Sequence, residues 1–251
     1  MYIGNLVDKF NKFIDNLDID NYLKKEIKEK LIQEENINKM IDNEIYNDKK
    51  GCKTDNINIF FTFLEELKNK HDTNYFKEAL KYVLSDNKST VIDKFIKYIV
   101  VTNYNDINVN INFDDEVGFG EVSAFLYGLK LGTLVIEDHG TNGFLFDWFH
   151  VRKDLNNTKI GTLIMNELIK YILHNYKDSS LYAETVSKGN LSGISFYKKY
   201  GFKDSNGKEL EYIPSSKEII SIIITANRMK EVYSNNKDKI PNIEITKERR
   251  R

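Results

Sequence analysis

The stretch from Asn190 to Phe202, NLSGISFYKKYGF, constrains the fold of this chain more than any other segment. An asparagine opens it, a Gly-Phe pair closes it, and the apolar residues between them have helical spacing. Gly201 predicts a left-handed turn that ends the helix, and Phe202 predicts the start of a strand. Because residues 181–186 (LYAETV) have strand character, the local order is predicted as strand, loop, short helix, strand.

The composition is that of an ordinary globular chain and excludes several functional classes. The 251 residues have a formal net charge of −1, with 30% charged and 41% hydrophobic residues, so no nucleic-acid partner is expected. The single cysteine, Cys52, excludes a disulfide framework, and the four histidines (71, 139, 150 and 174) lack metal-ligand spacing. No apolar run approaches the length of a membrane span, so we expect no membrane association and a cytoplasmic location.

The first hundred residues predict an all-helical domain, residues 1–104. They contain no proline, and Leu6, Phe10, Phe13, Ile14 and Leu17 form one apolar stripe. Asp20 is expected to cap a second helix, and three more helical runs cover residues 56–67, 75–84 and 91–99. These stripes either pack on each other and on the next domain or leave a face that engages a partner.

The middle of the chain changes to strand-like patterns. Residues 105–113 alternate polar and apolar side chains, and residues 121–127 and 132–138 flank a predicted hairpin at Gly128. Residues 144–151 are apolar on both faces, which is typical of a central strand covered by helices. A helix is predicted to follow from Ile160, and the order of elements suggests a mixed sheet.

The end of the chain predicts one more strand and a tail. The β-branched run favours a strand over residues 219–226. Residues 233–251 are polar and basic at the terminus. They predict a solvated tail or, alternatively, a contact to an acidic surface.

The loop before the helix at Ile160 is a candidate anion site. Residues 154–161, DLNNTKIG, are polar and rich in types that tolerate unusual backbone angles. The free N–H groups and the dipole at a helix N-terminus both favour a phosphate.

The two motifs together resemble the GNAT superfamily of acyl-CoA-dependent N-acetyltransferases over roughly residues 106–230. Asn190, Phe196, Tyr197, Gly201 and Phe202 match the downstream motif of that family. In the loop, Gly161 and the following Thr-Leu match. Three positions differ from the family's usual residues: Lys153 replaces a proline, Asn156 an arginine or glutamine, and Lys159 a glycine.

This resemblance implies a fold and an activity. The fold class is α/β (α+β), with a mixed, mostly antiparallel GNAT-type sheet flanked by helices over residues 105–232, after the N-terminal helical domain. The activity is the transfer of an acetyl group from acetyl-CoA to a primary amine by direct transfer, without a metal. The alternative is a catalytically weak, GNAT-like binding or regulatory protein whose helical domain engages a partner.

The resemblance also implies which residues bind acetyl-CoA. The backbone of the loop would hold the pyrophosphate, and the central strand would pair with the pantetheine amides. Lys159 brings a Cβ where the family has none, and its ammonium could partly offset this by attracting phosphate. The predicted binding residues are Phe149, Val151, Asn156, Asn157, Thr158, Lys159, Ile160, Gly161, Thr162, Asn190, Ser192, Phe196 and Tyr197.

Tyr197 is the predicted catalytic acid that protonates the leaving thiolate. A phenol of pKa about 10 and a thiol of about 8.5 are close to matched. The base is open between Asp147 and His150, which strict alternation places on opposite faces of the central strand, with Asp147 on the face of Phe149 and Val151. A substrate amine could equally lose its proton through water.

The acceptor stays undefined at this stage. It is a small-molecule or protein amine, and a homodimer is one option for assembly. The family usually places two helices between its first two strands, where this chain has only a short acidic turn, residues 114–120. Either an N-terminal helix takes their place or the first strand is assigned wrongly.

Overall fold

The structure, a computed structural model, describes residues 3–37, 53–85 and 90–236. Cys52 and residues 237–251 of the predicted tail lie outside the described residues. The chain forms two compact units. The first contains the described residues up to Ile107 together with 125–131 and 152–158, and the second contains the remainder. The domain boundary expected between residues 104 and 105 stays a prediction.

The described residues form eight α-helices. Five lie in the first unit, as the sequence predicts. They are α1 (Ile3–Asp15), α2 (Asn21–Ile37), α3 (Lys53–Lys70), α4 (Thr73–Leu84), α5 (Val91–Thr102), α6 (Ile160–Asn175), α7 (Leu191–Tyr200) and α8 (Ala226–Asn236).

Phenylalanine rings fill the core of the helical unit. Phe10 contacts Phe95 edge-on with ring centroids 5.2 Å apart, and Phe13 contacts Phe76 in the same way at 5.6 Å. Asp20 accepts a hydrogen bond from the backbone N–H of Leu23 at 2.8 Å, which confirms the predicted cap of α2. The apolar stripes therefore pack on each other within this unit.

A mixed, mostly antiparallel sheet of seven strands follows, and the predicted fold class is confirmed. The strand order is β1-β2-β3-β4-β5-β7-β6. The strands are β1 (Asn108–Asp114), β2 (Phe119–Leu126), β3 (Leu129–Asp138), β4 (Phe144–Val151), β5 (Leu181–Ser187), β6 (Lys203–Asp204) and β7 (Ile219–Ile224).

The first strand of the sheet is present where the sequence predicts it. β1 is joined to β2 by a tight turn in which the Asp114 carboxylate accepts hydrogen bonds from the backbone N–H groups of Glu116 and Val117. The alternative that this strand was assigned wrongly is therefore ruled out. The chain reaches β2 without the two helices that the family usually places there.

One element at the end of the chain differs from the prediction. The strand β7 stops at Ile224, and helix α8 then begins at Ala226, where the strand was expected to continue. Met229 lies in this helix and is fully buried. The helix extends into residues 233–236, which were predicted as tail.

Membrane-spanning helices and metal-binding clusters are both absent from the described residues. None of the helices in these ranges is long and apolar enough to cross a membrane. The same ranges contain no group of three or more His, Cys, Asp or Glu residues arranged to hold a metal ion.

Candidate functional site

The two parallel strands at the centre of the sheet, β4 and β5, are paired only where they begin. Within residues 144–187, their register consists of Phe144 with Leu181 and Leu145 with Tyr182. Along its remaining length, β4 stays paired with β3, and β5 stays paired with β7. The two strands therefore diverge after Leu145 and Tyr182, and the edge of β4 that faces β5 opens beyond this point.

Each of the two strands carries a β-bulge just past the point of divergence. In β4, Trp148 and Phe149 together oppose Leu134 of β3, because the register shifts by one residue. In β5, Glu184 and Thr185 likewise oppose a single residue of β7. Because a bulge bends its strand and increases the local twist, the two bulges account for the divergence.

The bulge in β4 also changes which side chains share a face of the sheet. Asp147 is paired with Val135 and His150 with Thr133, and these two partners are two residues apart on β3. Since paired antiparallel residues point to the same face, Asp147 and His150 lie on the same face. The prediction that they lie on opposite faces is wrong, because strict alternation does not hold across a bulge.

Phe149 and Val151 point to the other face, towards the start of α6. A Cβ built on Gly161 would lie 3.4 Å from the Phe149 ring and 3.5 Å from the Val151 side chain. The prediction that Asp147 shares their face is therefore also wrong. The Asp147 side chain is exposed on its own face of the sheet.

The first turn of α6 combines a buried anchor with a glycine. Ile160 is 1% exposed and fixes the start of the helix, as the sequence predicts. Gly161 follows it, and the nearest atoms around its missing Cβ are at ordinary van der Waals distances of 3.4–3.8 Å. The surrounding protein therefore does not require glycine here, although glycine in a helix costs about 1 kcal/mol relative to alanine.

The loop before α6 has two residues in the left-handed region. Asn157 has φ of 66° and Lys159 has φ of 69°. Between them, Thr158 is buried and its hydroxyl donates to the Leu155 carbonyl oxygen at 2.5 Å. A backbone that alternates between right-handed and left-handed conformations can turn successive N–H groups towards one side, and such concave arrangements bind anions. Asn156, also predicted as a binding residue, is exposed in the same loop.

An ion-pair network within the first unit holds the beginning of this loop. The Arg152 guanidinium donates to both carboxylate oxygens of Asp154, at 3.1 and 3.0 Å, and lies 3.9 Å from the Asp93 carboxylate of α5. Burial raises the pKa of Asp93 above its ordinary value, and Thr90 opposes this by donating a hydrogen bond. The loop is therefore fixed to helix α5 before it reaches Asn156.

The left-handed conformation of Lys159 predicts a stability gain on replacement. We expect Lys159→Gly to raise the free energy of unfolding by about 1 kcal/mol, because a residue with a Cβ is strained there. Asn157→Gly is the matched control and should gain less, since asparagine tolerates this region. Urea denaturation measures both, and a less stable Lys159→Gly protein would contradict the assignment of strain.

The downstream motif forms helix α7 as predicted. The Asn190 side chain accepts hydrogen bonds from the Gly193 N–H at 3.0 Å and from the Ser192 hydroxyl at 2.9 Å, which caps the helix. Gly201 ends it with φ of 78°, which confirms the predicted left-handed turn. The oxygen of the Asn190 amide is thus used by the helix, and the residue as a whole is exposed.

Tyr197 lies in an aromatic cluster on the face of the sheet that α7 covers. Its ring centroid is 5.7 Å from Phe146, 5.5 Å from Phe202 and 5.4 Å from Phe196. This burial raises the pKa of its hydroxyl to about 12. None of the described residues hydrogen-bonds that hydroxyl, so it can donate to a ligand.

Several predicted site residues come together around the open edge of β4. Phe149 packs on Phe196 with centroids 5.5 Å apart, and Thr162 accepts a hydrogen bond from the Tyr200 hydroxyl at 3.1 Å. Phe146 was not predicted from the sequence. The sequence feature that could have pointed to Phe146 is the motif residue Tyr197, because the two rings are in contact.

The fold and this site define a mixed α/β protein whose two central parallel strands diverge beside the start of a helix. Residues 102–202 match the model of the acetyltransferase (GNAT) family. This part of the chain is a GNAT acetyltransferase domain, and the resemblance predicted from its motifs is confirmed. None of the curated proteins matches the sequence.

Solved structures similar to this chain include three bacterial acetyltransferases. The "IAA acetyltransferase" of Bacillus cereus ATCC 14579 is 18% identical, with 43% of this chain and 78% of that chain covered and a TM-score of 0.36. A GNAT family acetyltransferase of Elizabethkingia anophelis with acetyl-CoA bound is 13% identical (48% and 98% covered, TM-score 0.38). One from Staphylococcus aureus MU50 is 19% identical (62% and 96%, TM-score 0.37).

Proposed function

We propose that this chain is an acyl-CoA-dependent N-acetyltransferase that moves the acetyl group of acetyl-CoA directly to a primary amine of a cytoplasmic acceptor. The observation that carries the proposal is the divergence of β4 and β5 beside the start of α6, within the part of the chain that matches the family. An extended chain with amide groups can pair with an open strand edge as an added strand does. Pantetheine is such a chain.

The start of α6 supports a phosphate-binding role. Glycine at position 161 is unfavourable for the helix and is not needed for packing, so a ligand accounts for it best. The free N–H groups of the first helical turn and the helix dipole favour the pyrophosphate of CoA. The exposed ammonium of Lys159 adds a positive charge at the same end of the helix.

Tyr197 would act on the sulfur of the leaving group. Its raised pKa of about 12 keeps the phenol protonated, and it makes complete proton transfer to a thiolate of ordinary pKa, about 8.5, unfavourable. We therefore assign Tyr197 a hydrogen bond to the sulfur that strengthens as negative charge develops there. Holding the thioester and the amine in fixed geometry supplies the rest of the acceleration.

Calorimetric titration with acetyl-CoA tests the proposal, with Gly161→Ala as the diagnostic variant. We expect the wild-type protein to bind, and Gly161→Ala to bind at least about tenfold more weakly, a loss of about 1.4 kcal/mol. The same variant should be as stable as the wild type or more so, because alanine favours the helix. Absence of binding at millimolar acetyl-CoA would contradict the acetyltransferase assignment.

A second candidate function is a GNAT-like binding or regulatory protein with little activity, whose helical unit engages a partner. Lys159 favours it, because its side chain occupies a position where the family has glycine. Binding of acetyl-CoA without release of a thiol in the presence of amines would support this candidate over the enzyme.

A further inference from the structure

A hydrogen-bonded chain of three side chains lies on the face of the sheet opposite α7. The Tyr182 hydroxyl is 2.6 Å from Nδ1 of His139, and Nε2 of His139 is 3.4 Å from the Glu137 carboxylate. The imidazole and phenol rings also meet edge-on, with centroids 5.8 Å apart. The sequence does not predict this hydrogen-bonded arrangement, because 43 residues separate His139 from Tyr182.

The position of Tyr182 connects this chain to the candidate site. Tyr182 is the last residue of β5 that pairs with β4, opposite Leu145. The open edge of β4 begins immediately afterwards, so Tyr182 marks the closed end of the divergence. Leu145 is paired with Glu137 of β3, which places Glu137, Leu145 and Tyr182 on one face.

Tyr197 approaches the same closed end from the other face. It contacts Phe146, the neighbour of Leu145 on β4, whose side chain points the opposite way. A thioester held along the open edge of β4 would therefore have a phenol on each side. Tyr197 faces the leaving group, and Tyr182 is left for the attacking amine.

We propose that Tyr182 and His139 form a proton relay that deprotonates the acceptor amine, with Glu137 stabilising the imidazolium. This inference rests on the proposed acetyltransferase function. The ammonium of the acceptor gives a proton to the Tyr182 oxygen while the Tyr182 proton passes to Nδ1 of His139. The products are a neutral amine and a protonated imidazole, and the imidazolium then releases its proton to water.

The exposure and charges of Tyr182, His139 and Glu137 favour proton transfer from the amine towards His139 and then to solvent. The side chains of His139 and Glu137 are 37% and 41% exposed, so solvent can take up the proton. Burial raises the pKa of Tyr182, and the nearby Glu184 and Glu137 carboxylates raise it further. The phenol therefore stays neutral: it gives its own proton to His139 only as it receives one from the amine. Asp138, the neighbour of His139 in the sequence, also carries a carboxylate, which accepts a hydrogen bond from the Gly140 N–H at 2.8 Å.

The relay predicts that the need for His139 depends on the charge of the amine. Release of thiol from acetyl-CoA is measured with two acceptors, butylamine, which is an ammonium at neutral pH, and methoxyamine, which is already neutral. We expect His139→Gln and Tyr182→Phe to lower kcat/KM for butylamine about 100-fold and to change that for methoxyamine by less than about threefold. His174→Gln, an exposed histidine at the end of α6, is the matched control and should change neither.

The pH profile and chemical rescue separate a relay from a structural role. In His139→Ala, added imidazole should restore turnover of butylamine, whereas Tyr182→Phe should not respond. The acidic limb of the wild-type profile should disappear in His139→Gln and remain in Asp147→Asn. An acidic limb lost in Asp147→Asn instead would overturn the relay and make the carboxylate the base.

Two further results have distinct meanings. An equal loss for both amines in His139→Gln would overturn the relay alone and leave the acetyltransferase assignment intact. Wild-type protein that releases no thiol with either amine would contradict the acetyltransferase assignment itself, and the relay with it.

Discussion

Replacing Tyr197 with phenylalanine is expected to reduce turnover of acetyl-CoA about 100-fold while leaving its affinity within about twofold. Phenylalanine keeps the ring contacts with Phe146 and Phe202, so the cluster and the shape of the site survive. What is lost is the hydroxyl, which none of the described residues binds. The hydrogen bond from this hydroxyl matters when negative charge develops on the sulfur in the transition state. Its loss therefore lowers kcat and leaves the affinity for acetyl-CoA nearly unchanged.

Steady-state kinetics with a thiol-release assay, together with calorimetry, measures both quantities. Tyr200→Phe is the matched control on the same helix. Its hydroxyl binds the Thr162 carbonyl at 3.1 Å and the Asn166 side chain at 2.8 Å, so its loss should lower stability and spare turnover. Because the pKa of Tyr197 is about 12, the variant should lower the whole pH profile without moving its limbs. Unchanged turnover would reject the assigned role.

Much of the fold follows from patterns that act over short distances. The limits of β4, residues 144–151, and the start of α6 at Ile160 agree with the prediction because an apolar run and a polar loop mark them locally. The caps at Asp20 and Gly201 agree for the same reason, since a cap depends on side chains within one turn.

The bulges could not be predicted in this way. A bulge is a mismatch between two strands, and Trp148 and Phe149 form one only because Leu134 of β3 is opposite them. Strict alternation through residues 147–151 therefore predicts the wrong face of the sheet for Asp147. The helix α8 was missed because the β-branched run that ends at Ile224 was extended to Ala226, where the helix starts.

The candidate site also contains both residues that local sequence motifs predict and residues that only the folded sheet brings together. Tyr197, Asn190 and Gly161 could be predicted because each belongs to one of two short motifs, the loop at residues 154–161 and the segment at residues 190–202. His139 and Tyr182 were not found, because only the order of strands in the sheet brings β3 and β5 to either side of β4. Residues that meet through sheet topology leave no local signal in a single sequence.

Replacing Phe202 with alanine is expected to lower the free energy of unfolding by about 3–5 kcal/mol. Phe202 is 0% exposed and packs between the rings of Phe146, at 5.8 Å, and Tyr197, at 5.5 Å. Its removal leaves a cavity between the rings of Phe146 and Tyr197, and such a cavity adds to the loss of stability. Urea denaturation measures the loss. Phe119→Ala, at a ring that is 46% exposed, is the control and should cost less than about 1 kcal/mol.

The same replacement connects packing to the chemistry of Tyr197. Since burial is what raises the pKa of Tyr197, opening the cluster should bring that pKa down from about 12 towards the ordinary value of about 10. The difference in phenolate absorbance between Phe202→Ala and the double variant Phe202→Ala/Tyr197→Phe isolates this one tyrosine. If Phe202→Ala does not fold, Phe202→Leu gives a smaller shift in the same direction. An unchanged pKa in a folded variant would show that Phe202 does not control the polarity around the hydroxyl.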